Sequence, residues 1–334
     1  MTFGRGPALR ETYDRARAEG YGFFASNVTT PEILVGLVRG AERTDSDVVL
    51  QLKRDTAEHV GAGDPGAGIA VVGEYLRTIG ESADVGVFLN VDHVRPDDTA
   101  FLETCLDVGI PASVMIDASH EPFEENVRIT REVRERLDAR EDEVLLEAEL
   151  GTIEGEEGGV RTEEAFYTDP EEAVEFVDRS GCDLLAVSIG TEHGVSAGRD
   201  LDLRPELAAE IDRALRDHGL DAPLVVHGAS GLEDDQIRHL LETGVCKFNK
   251  NTRYQYEYAR TAHDFYAEHS DAIVPPEGVE DDRDGFFADL EWSPRKAEFG
   301  PPVVIGEIRE RIAEVMADLT RLTGSAGESP YADA

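Results

Sequence analysis

The chain alternates short apolar runs with longer segments in which apolar residues recur every three or four positions. Brief runs of Val, Leu, Ile and Phe bounded by polar residues fit strands buried in a parallel sheet, and the longer spacing fits helices that cover one. Eight strands are predicted, at 22–28, 47–52, 85–92, 112–117, 144–150, 184–190, 223–228 and 245–251. Helical patterns follow at 31–43, 66–79, 97–107, 121–138, 170–180, 205–218, 233–243 and 254–270, the first with Thr30 as N-cap and Pro31 at its opening position. Eight strand-then-helix units in 334 residues predict an α/β fold, a (β/α)8 TIM barrel, rather than an open doubly wound sheet. The barrel domain is expected to span 1–325, with an acidic insertion rich in Pro, Gly and Asp at about 273–291. Ile305, Ile308, Ile312, Val315, Met316 and Leu319 mark a terminal helix over about 302–322 that packs on the barrel or on a partner subunit. The last residues, 326–334, are expected to form a flexible tail.

Charge changes the picture of the surface. There are 32 Lys plus Arg against 71 Asp plus Glu, a formal net charge of -39. Such an excess repels phosphate backbones and anionic lipid, so nucleic-acid and membrane partners are excluded. Yet 40% of residues are hydrophobic, too many for a disordered acidic chain. The acidity therefore belongs to a surface, with helical stretches at 163–179 and 268–289 carrying most of it. Salt screens mutual repulsion, so the chain is expected to be halophilic, stabilised by molar salt. Cys105, Cys182 and Cys246 form no CxxC pair and imply a reducing compartment. Residues 1–20 lack the apolar core of a signal peptide and no apolar run reaches membrane length, so a cytoplasmic location is expected.

Several strand runs end in polar groups, which have no place in a core. VGVFLNVDHV ends in Asp92 and His93, VLLEAEL carries Glu149, LLAVSIGTEH ends in His193, and LVVH ends in His227. Catalytic groups of barrels sit on strand carboxyl ends, so these residues converge on one rim. Three imidazoles and a carboxylate there constitute a candidate metal site. Asp92 either moves a proton to or from a substrate hydroxyl or orients a ligand histidine. HGASGL, His227 to Leu232, and GVCKFNKNTR, Gly244 to Arg253, follow the seventh and eighth strands, the usual phosphate cradle of barrel enzymes. ELGTIEGEEGGV, Glu149 to Val160, has glycines spaced for a mobile lid, or else for an acidic surface loop.

The ordered set DH, SVMIDASHEPFEEN, EAELGTIEGEEGGV, IGTEHG, HGASG, GVCKFNKNT, SPRK and GSAG, spread from about Tyr21 to Gly327, resembles the class II, metal-dependent fructose-bisphosphate aldolases and their tagatose-bisphosphate relatives. The resemblance implies a phosphorylated sugar substrate and a homodimer or homotetramer. It implies reversible cleavage of fructose 1,6-bisphosphate to dihydroxyacetone phosphate and glyceraldehyde 3-phosphate through a zinc-stabilised enediolate. The implied cofactor is Zn2+, with another divalent metal as the alternative and room for a monovalent cation such as K+. By the resemblance His93, His193 and His227 ligate the metal, Glu149 holds it in an alternate position and Asp117 lies near it. Asp92 handles the C4 hydroxyl proton and Glu157, in the lid, exchanges the proton at C3. Asn27, Gly194, Gly228, Ser230, Asn249, Asn251 and Thr252 correspond to substrate and phosphate contacts, and Arg295, in SPRK, to an arginine that meets the distal phosphate, in some members across a subunit interface.

This sequence departs from the family pattern at several points. NVDH stands for an HLDH-like signature, HGASG for HGGSG, and NKNTR for an NINTD-like run, adding Lys250 and Arg253 beside the phosphate loop. QLKRDT replaces a serine-containing segment after the second strand and brings Lys53 and Arg54 to the rim. In so acidic a chain these cations would steer an anionic substrate. The alternatives are an aldolase for tagatose 1,6-bisphosphate or another ketose phosphate, a class I aldolase with Lys247 as its Schiff-base lysine, and a non-catalytic metal- and phosphate-binding barrel.

Overall fold

The computed structural model describes residues 3–140, 143–157, 160–162, 166–194, 201–281 and 292–332, the side chains of 154–157, 160–162 and 193 excepted. Its strands are β1 Phe23–Asn27, β2 Val48–Lys53, β3 Val87–Val94, β4 Ser113–Ile116, β5 Leu145–Leu150, β6 Glu154–Glu157, β7 Val160–Thr162, β8 Leu184–Val187, β9 Glu192–His193, β10 Leu224–Val226 and β11 Val245–Lys250. The helices are α1 Gly6–Glu19, α2 Pro31–Glu42, α3 Arg54–Val60, α4 Pro65–Glu81, α5 Thr99–Val108, α6 Phe123–Ala139, α7 Pro170–Ser180, α8 Pro205–Asp217, α9 Asp234–Leu241, α10 Thr252–Glu268, α11 Ser270–Ile273, α12 Lys296–Phe299 and α13 Pro301–Thr323.

Eight parallel strands close in the order β1-β11-β10-β8-β5-β4-β3-β2, with helices outside, which is the expected (β/α)8 barrel. Outward strand residues such as Leu50, Leu89 and Leu146 pack against the helices in one large core. Inward residues Phe23, Val49, Phe88, Leu145, Leu184 and Val225 form a second, smaller core inside the barrel. One step further along each strand pair, the inward positions turn polar: Asn27, Gln51, Asn90, Glu147 and Lys247, all buried. A barrel that is apolar at its amino end and polar at its carboxyl end has its site at the carboxyl rim.

Two elements escape the apolar pattern. In α1, Leu9, Tyr13 and Ala16 lie on one face and join the inner core, so the charged-looking start of the chain plugs the barrel. The β6–β7 hairpin pairs with β9, through Glu154 opposite Glu192 and Gly155 opposite His193, and raises a small separate sheet after the barrel strand β5. Helix α13 packs tightly on α2, where a Cβ at Gly36 would lie 2.7 Å from Ile312 and one at Gly40 2.5 Å from the Ala313 carbonyl oxygen.

Two expectations need correction. Residues 268–289 are not one helical stretch: α10 stops at Glu268, α11 adds only Ser270–Ile273, and 282–289 fall outside the described residues. The tail from Ala326 is tied down through Ser329 rather than loose. Gly327 N donates to Thr44 O at 2.8 Å, Ser329 Oγ to Asp47 Oδ1 at 2.6 Å, and Arg15 pairs with Glu328. Backbone groups that find partners have little reason to fray. All three cysteines are free and buried. Among the described residues no helix is long and apolar enough to cross a membrane.

Candidate active site

A regular strand sends neighbouring side chains to opposite faces, so an undistorted β3 could not aim both Asp92 and His93 into the barrel. Here Val91 pairs with Val114 but Val94 with Ile116, one residue extra on β3, and His93 adopts a left-handed φ of 49°. That bulge turns consecutive residues to the same side. It brings the His93 ring to 4.8 Å from that of His227, centroid to centroid.

Asp92 is 2% exposed and surrounded by amide donors. Asn27 Nδ2 donates to Oδ2 at 3.2 Å, and Gln51 Nε2 and Asn249 Nδ2 donate to Oδ1 at 3.0 and 3.3 Å. Lys53 Nζ lies 3.7 Å from Oδ2. Burial opposes ionisation of this carboxyl, but the positive charges of His93 and Lys53 outweigh it and hold the pKa well below the ordinary value.

His227, at the end of β10, is wholly buried between two glutamates of β5. Its Nε2 lies 3.0 Å from Glu147 Oε1, and since a carboxylate only accepts, Nε2–H donates. Nδ1 then faces Glu149 Oε2 at 3.2 Å, an oxygen that has no hydrogen-bond partner. Burial disfavours the imidazolium, yet both glutamates raise its pKa to about 9. Glu147 Oε2 accepts from Lys247 Nζ at 2.6 Å, with both side chains at 0% exposure. His93 Nδ1 lies 2.9 Å from Asp117 Oδ2, whose other oxygen accepts from Ser119.

The donor set fits a divalent cation. In each of two overlapping groups, Asp92 with His93 and His227, and His93 with Asp117 and Glu149, the ligand atoms lie within 4.8 Å of one another. A buried carboxylate oxygen facing an imidazole nitrogen across 3.2 Å is an environment that a cation fits. His193 and Glu157 have their backbones in β9 and β6, and their side chains lie outside the described ones.

The expected phosphate residues gather beside this cluster. Gly228 has φ 69°, and a Cβ there would lie 2.4 Å from the Glu192 carbonyl oxygen, so β9 rests directly on the turn that opens HGASG. Gly194, with φ 90°, comes from the same stretch, and its carbonyl oxygen would lie 3.8 Å from a Cβ at Gly231. Ser230 Oγ accepts from Asn251 N at 3.4 Å, joining that loop to the start of α10 at Thr252. Lys250 is buried behind them, its Nζ donating to Ala229 O at 3.0 Å and lying 4.8 Å above the Phe24 ring. Arg295 stands apart. It pairs with Asp271 and Glu298, beyond the far end of the 17-residue α10, which is about 25 Å from Asn251 at 1.5 Å per residue.

Two residues of the site were not singled out in the sequence. Glu147 lies two positions before Glu149, and Gln51 opposite Asn90, so alternation along β5 and register across β2 and β3 identify them. Lys247, the candidate Schiff-base lysine, is locked in the ion pair beside His227 and serves there as the counter-ion of Glu147.

The family model described as fructose-bisphosphate aldolase class-II matches residues 8–328. The chain is 35% identical over 263 residues to the D-tagatose-1,6-bisphosphate aldolase subunit GatY of Klebsiella oxytoca, covering 78% of this chain and 86% of that protein. It is 32% identical to a fructose-bisphosphate aldolase of Geobacillus stearothermophilus, covering 91% and 96%. The crystal structure of the fructose-bisphosphate aldolase from Campylobacter jejuni shares the fold, with a TM-score of 0.82 at 23% identity over 98% of this chain and 97% of that one. With the family model matched along nearly its whole length, this chain belongs to the class-II fructose-bisphosphate aldolase family.

Proposed function

We propose that the chain cleaves fructose 1,6-bisphosphate reversibly to dihydroxyacetone phosphate and glyceraldehyde 3-phosphate with a zinc ion. The observation that carries this reading is Asp92, a buried carboxylate fixed by the amides of Asn27, Gln51 and Asn249 beside the His93–His227 pair. Three amides that aim one carboxylate support a proton-handling role for Asp92 beyond metal ligation.

His93, His193 and His227 would hold the ion, with Glu149 and Asp117 as alternate carboxylates. A bound divalent ion supplies Lewis acidity at the ketose carbonyl oxygen, where charge develops as the C3–C4 bond breaks. Asp92 takes the C4 hydroxyl proton, and its amide partners keep it aimed. Glu157, carried by the hairpin, returns a proton to C3. Gly194, Gly228, Ser230, Asn251 and Thr252 seat the dihydroxyacetone-side phosphate at the amino terminus of α10 through backbone N–H groups. Asn249 serves the reacting end, because its amide points at Asp92.

Tagatose 1,6-bisphosphate differs only at C4, and the 35% identical relative named for it keeps that sugar as the second reading. Steady-state cleavage of both bisphosphates with zinc, in molar potassium chloride, decides between them. The higher kcat/KM is expected for fructose 1,6-bisphosphate. A reversed ratio assigns the tagatose sugar, and cleavage of neither overturns the reading. Asp92→Asn should lower kcat by roughly 100- to 10,000-fold while zinc still binds.

A further inference from the structure

Lys250 closes β11 at one of the places where the chain departs from an NINTD-like run, and it is only 6% exposed. Its ammonium lies 4.8 Å over the ring of Phe24, a β1 residue of the core between strands and helices. Above it the turn Ala229–Gly231, which follows β10, offers the Ala229 carbonyl oxygen, and Nζ donates to it at 3.0 Å. Asp234 of α9 attracts the charge and Arg253 of α10 repels it. Those two are themselves answered elsewhere, Asp234 by Arg238 at 3.7 Å and Arg253 by Glu257 at 2.7 Å. Among the described residues no carboxylate forms an ion pair with Lys250. An apolar side chain of that length would fill the same space without a charge to desolvate, so packing alone does not explain an ammonium here.

The carbonyl that Lys250 holds has a consequence on the other side of the turn. A planar trans peptide points its C=O and its N–H in opposite directions. The Ala229–Ser230 bond is trans, so with the Ala229 oxygen drawn onto Lys250 the Ser230 N–H points away from it. Ser230 Oγ accepts from Asn251 N at 3.4 Å, which ties the same turn to the start of α10 at a second point. A cation at the oxygen end of a peptide also polarises its N–H end, so orientation and charge both favour an anion at Ser230.

We propose that Lys250 is a positioning residue of the phosphate seat: it fixes the Ala229–Ser230 peptide with its N–H toward the ligand and backs the turn with the positive charge that a phosphate monoester dianion meets. The inference rests on the reading of this turn as that seat. Lys250 touches no substrate atom and acts through the peptide it holds and through its field, which dry surroundings strengthen.

Calorimetric titration of the zinc-loaded protein with dihydroxyacetone phosphate at pH 7 and pH 9 tests this in wild type, Lys250→Met and Lys250→Gln, the last keeping a donor without the charge. K250M should bind roughly 10- to 100-fold more weakly than wild type at pH 7, with K250Q between them. Burial, with repulsion from Arg253, lowers the ammonium to about 8, whereas a phosphate monoester, with its second pKa near 6, stays a dianion over this range. A bound dianion favours the charged lysine, so wild-type affinity should fall by up to about tenfold from pH 7 to pH 9, beyond any slope that both variants share. In steady-state cleavage the loss in K250M should appear in KM, with kcat little changed. Affinity and pH slope in K250M equal to those of wild type would overturn the proposal, as would a loss confined to kcat; K250Q decides should K250M not fold. Titration needs no turnover, so wild type that binds with this slope yet cleaves neither bisphosphate supports the role of Lys250 and removes only the aldolase reading. Wild type that does not bind dihydroxyacetone phosphate removes the seat and the proposal with it.

Discussion

Glu147 and Lys247 place opposite charges at 0% exposure in the middle of the barrel, 2.6 Å apart, beneath His227. Water cannot compensate either charge there, so removing one partner leaves the other stranded. Lys247→Met should destabilise the metal-free protein by about 3–5 kcal/mol, read as a lower urea midpoint. Replacing both by leucine should recover much of that loss but weaken zinc binding by roughly 10- to 100-fold, because the hydrogen bond that orients His227 has gone. Unaltered zinc affinity in the double variant would show that the pair has no part in orienting the histidine. Lys250 gives a pH-dependent case. Burial, with repulsion from Arg253, lowers its ammonium to about 8 from the ordinary 10.5, against attraction from Asp234. Between those values the unfolded chain keeps a proton that the folded chain has released, so the group adds stability as pH rises through 8 and costs stability below it. Lys250→Met should therefore melt at a higher temperature than wild type at pH 7, and the gain should shrink toward pH ~10. A gain independent of pH would mean that the buried ammonium charge is not its source.

At the scale of elements, the site depends on two devices that local propensity does not encode. One is the bulge in β3. The apolar run ending in Asp92 and His93 was legible as a strand end, whereas the extra residue that turns both side chains inward is a property of pairing with β4. The other is the seating of β9 on Gly228. Gly228→Ala would put a Cβ 2.4 Å from the Glu192 carbonyl oxygen at a φ of 69°, displacing the segment that carries His193. Its kcat/KM should drop at least roughly tenfold, while the left-handed alanine itself costs only about 1–2 kcal/mol of stability and leaves the protein folded. An active G228A would show that the contact does not position β9. The eight barrel strands and most helices were readable because each apolar run or period recurs along the chain. Helix α1 was not, since Leu9, Tyr13 and Ala16 are sparse among charges and acquire meaning only once the barrel offers an open end to fill. Glu147 was passed over for a similar reason: a glutamate inside an apolar strand reads as an interruption until the interior is known to turn polar.

For the whole molecule, the acid excess decides the response to salt. Arginines such as Arg128, between Glu125 and Glu132, and Arg179, between Glu124 and Glu175, each pair with two carboxylates. Exposed pairs contribute about 0–1 kcal/mol each, while 71 acids against 32 bases leave repulsion that pairing cannot neutralise. Screening should therefore gain more than it loses, and the melting temperature should climb as potassium chloride is raised from millimolar to molar. A flat or falling curve would remove the halophilic reading.

In the proposed function a metal ion at the carboxyl rim drives carbon–carbon cleavage. That role is tested most directly by assaying fructose 1,6-bisphosphate cleavage in molar potassium chloride before chelation, after EDTA and dialysis, and after zinc is restored. Activity, its loss and its recovery are expected in that order. Cleavage that survives complete removal of the metal would contradict it, and covalent trapping of the substrate on a lysine by borohydride would then locate the chemistry elsewhere.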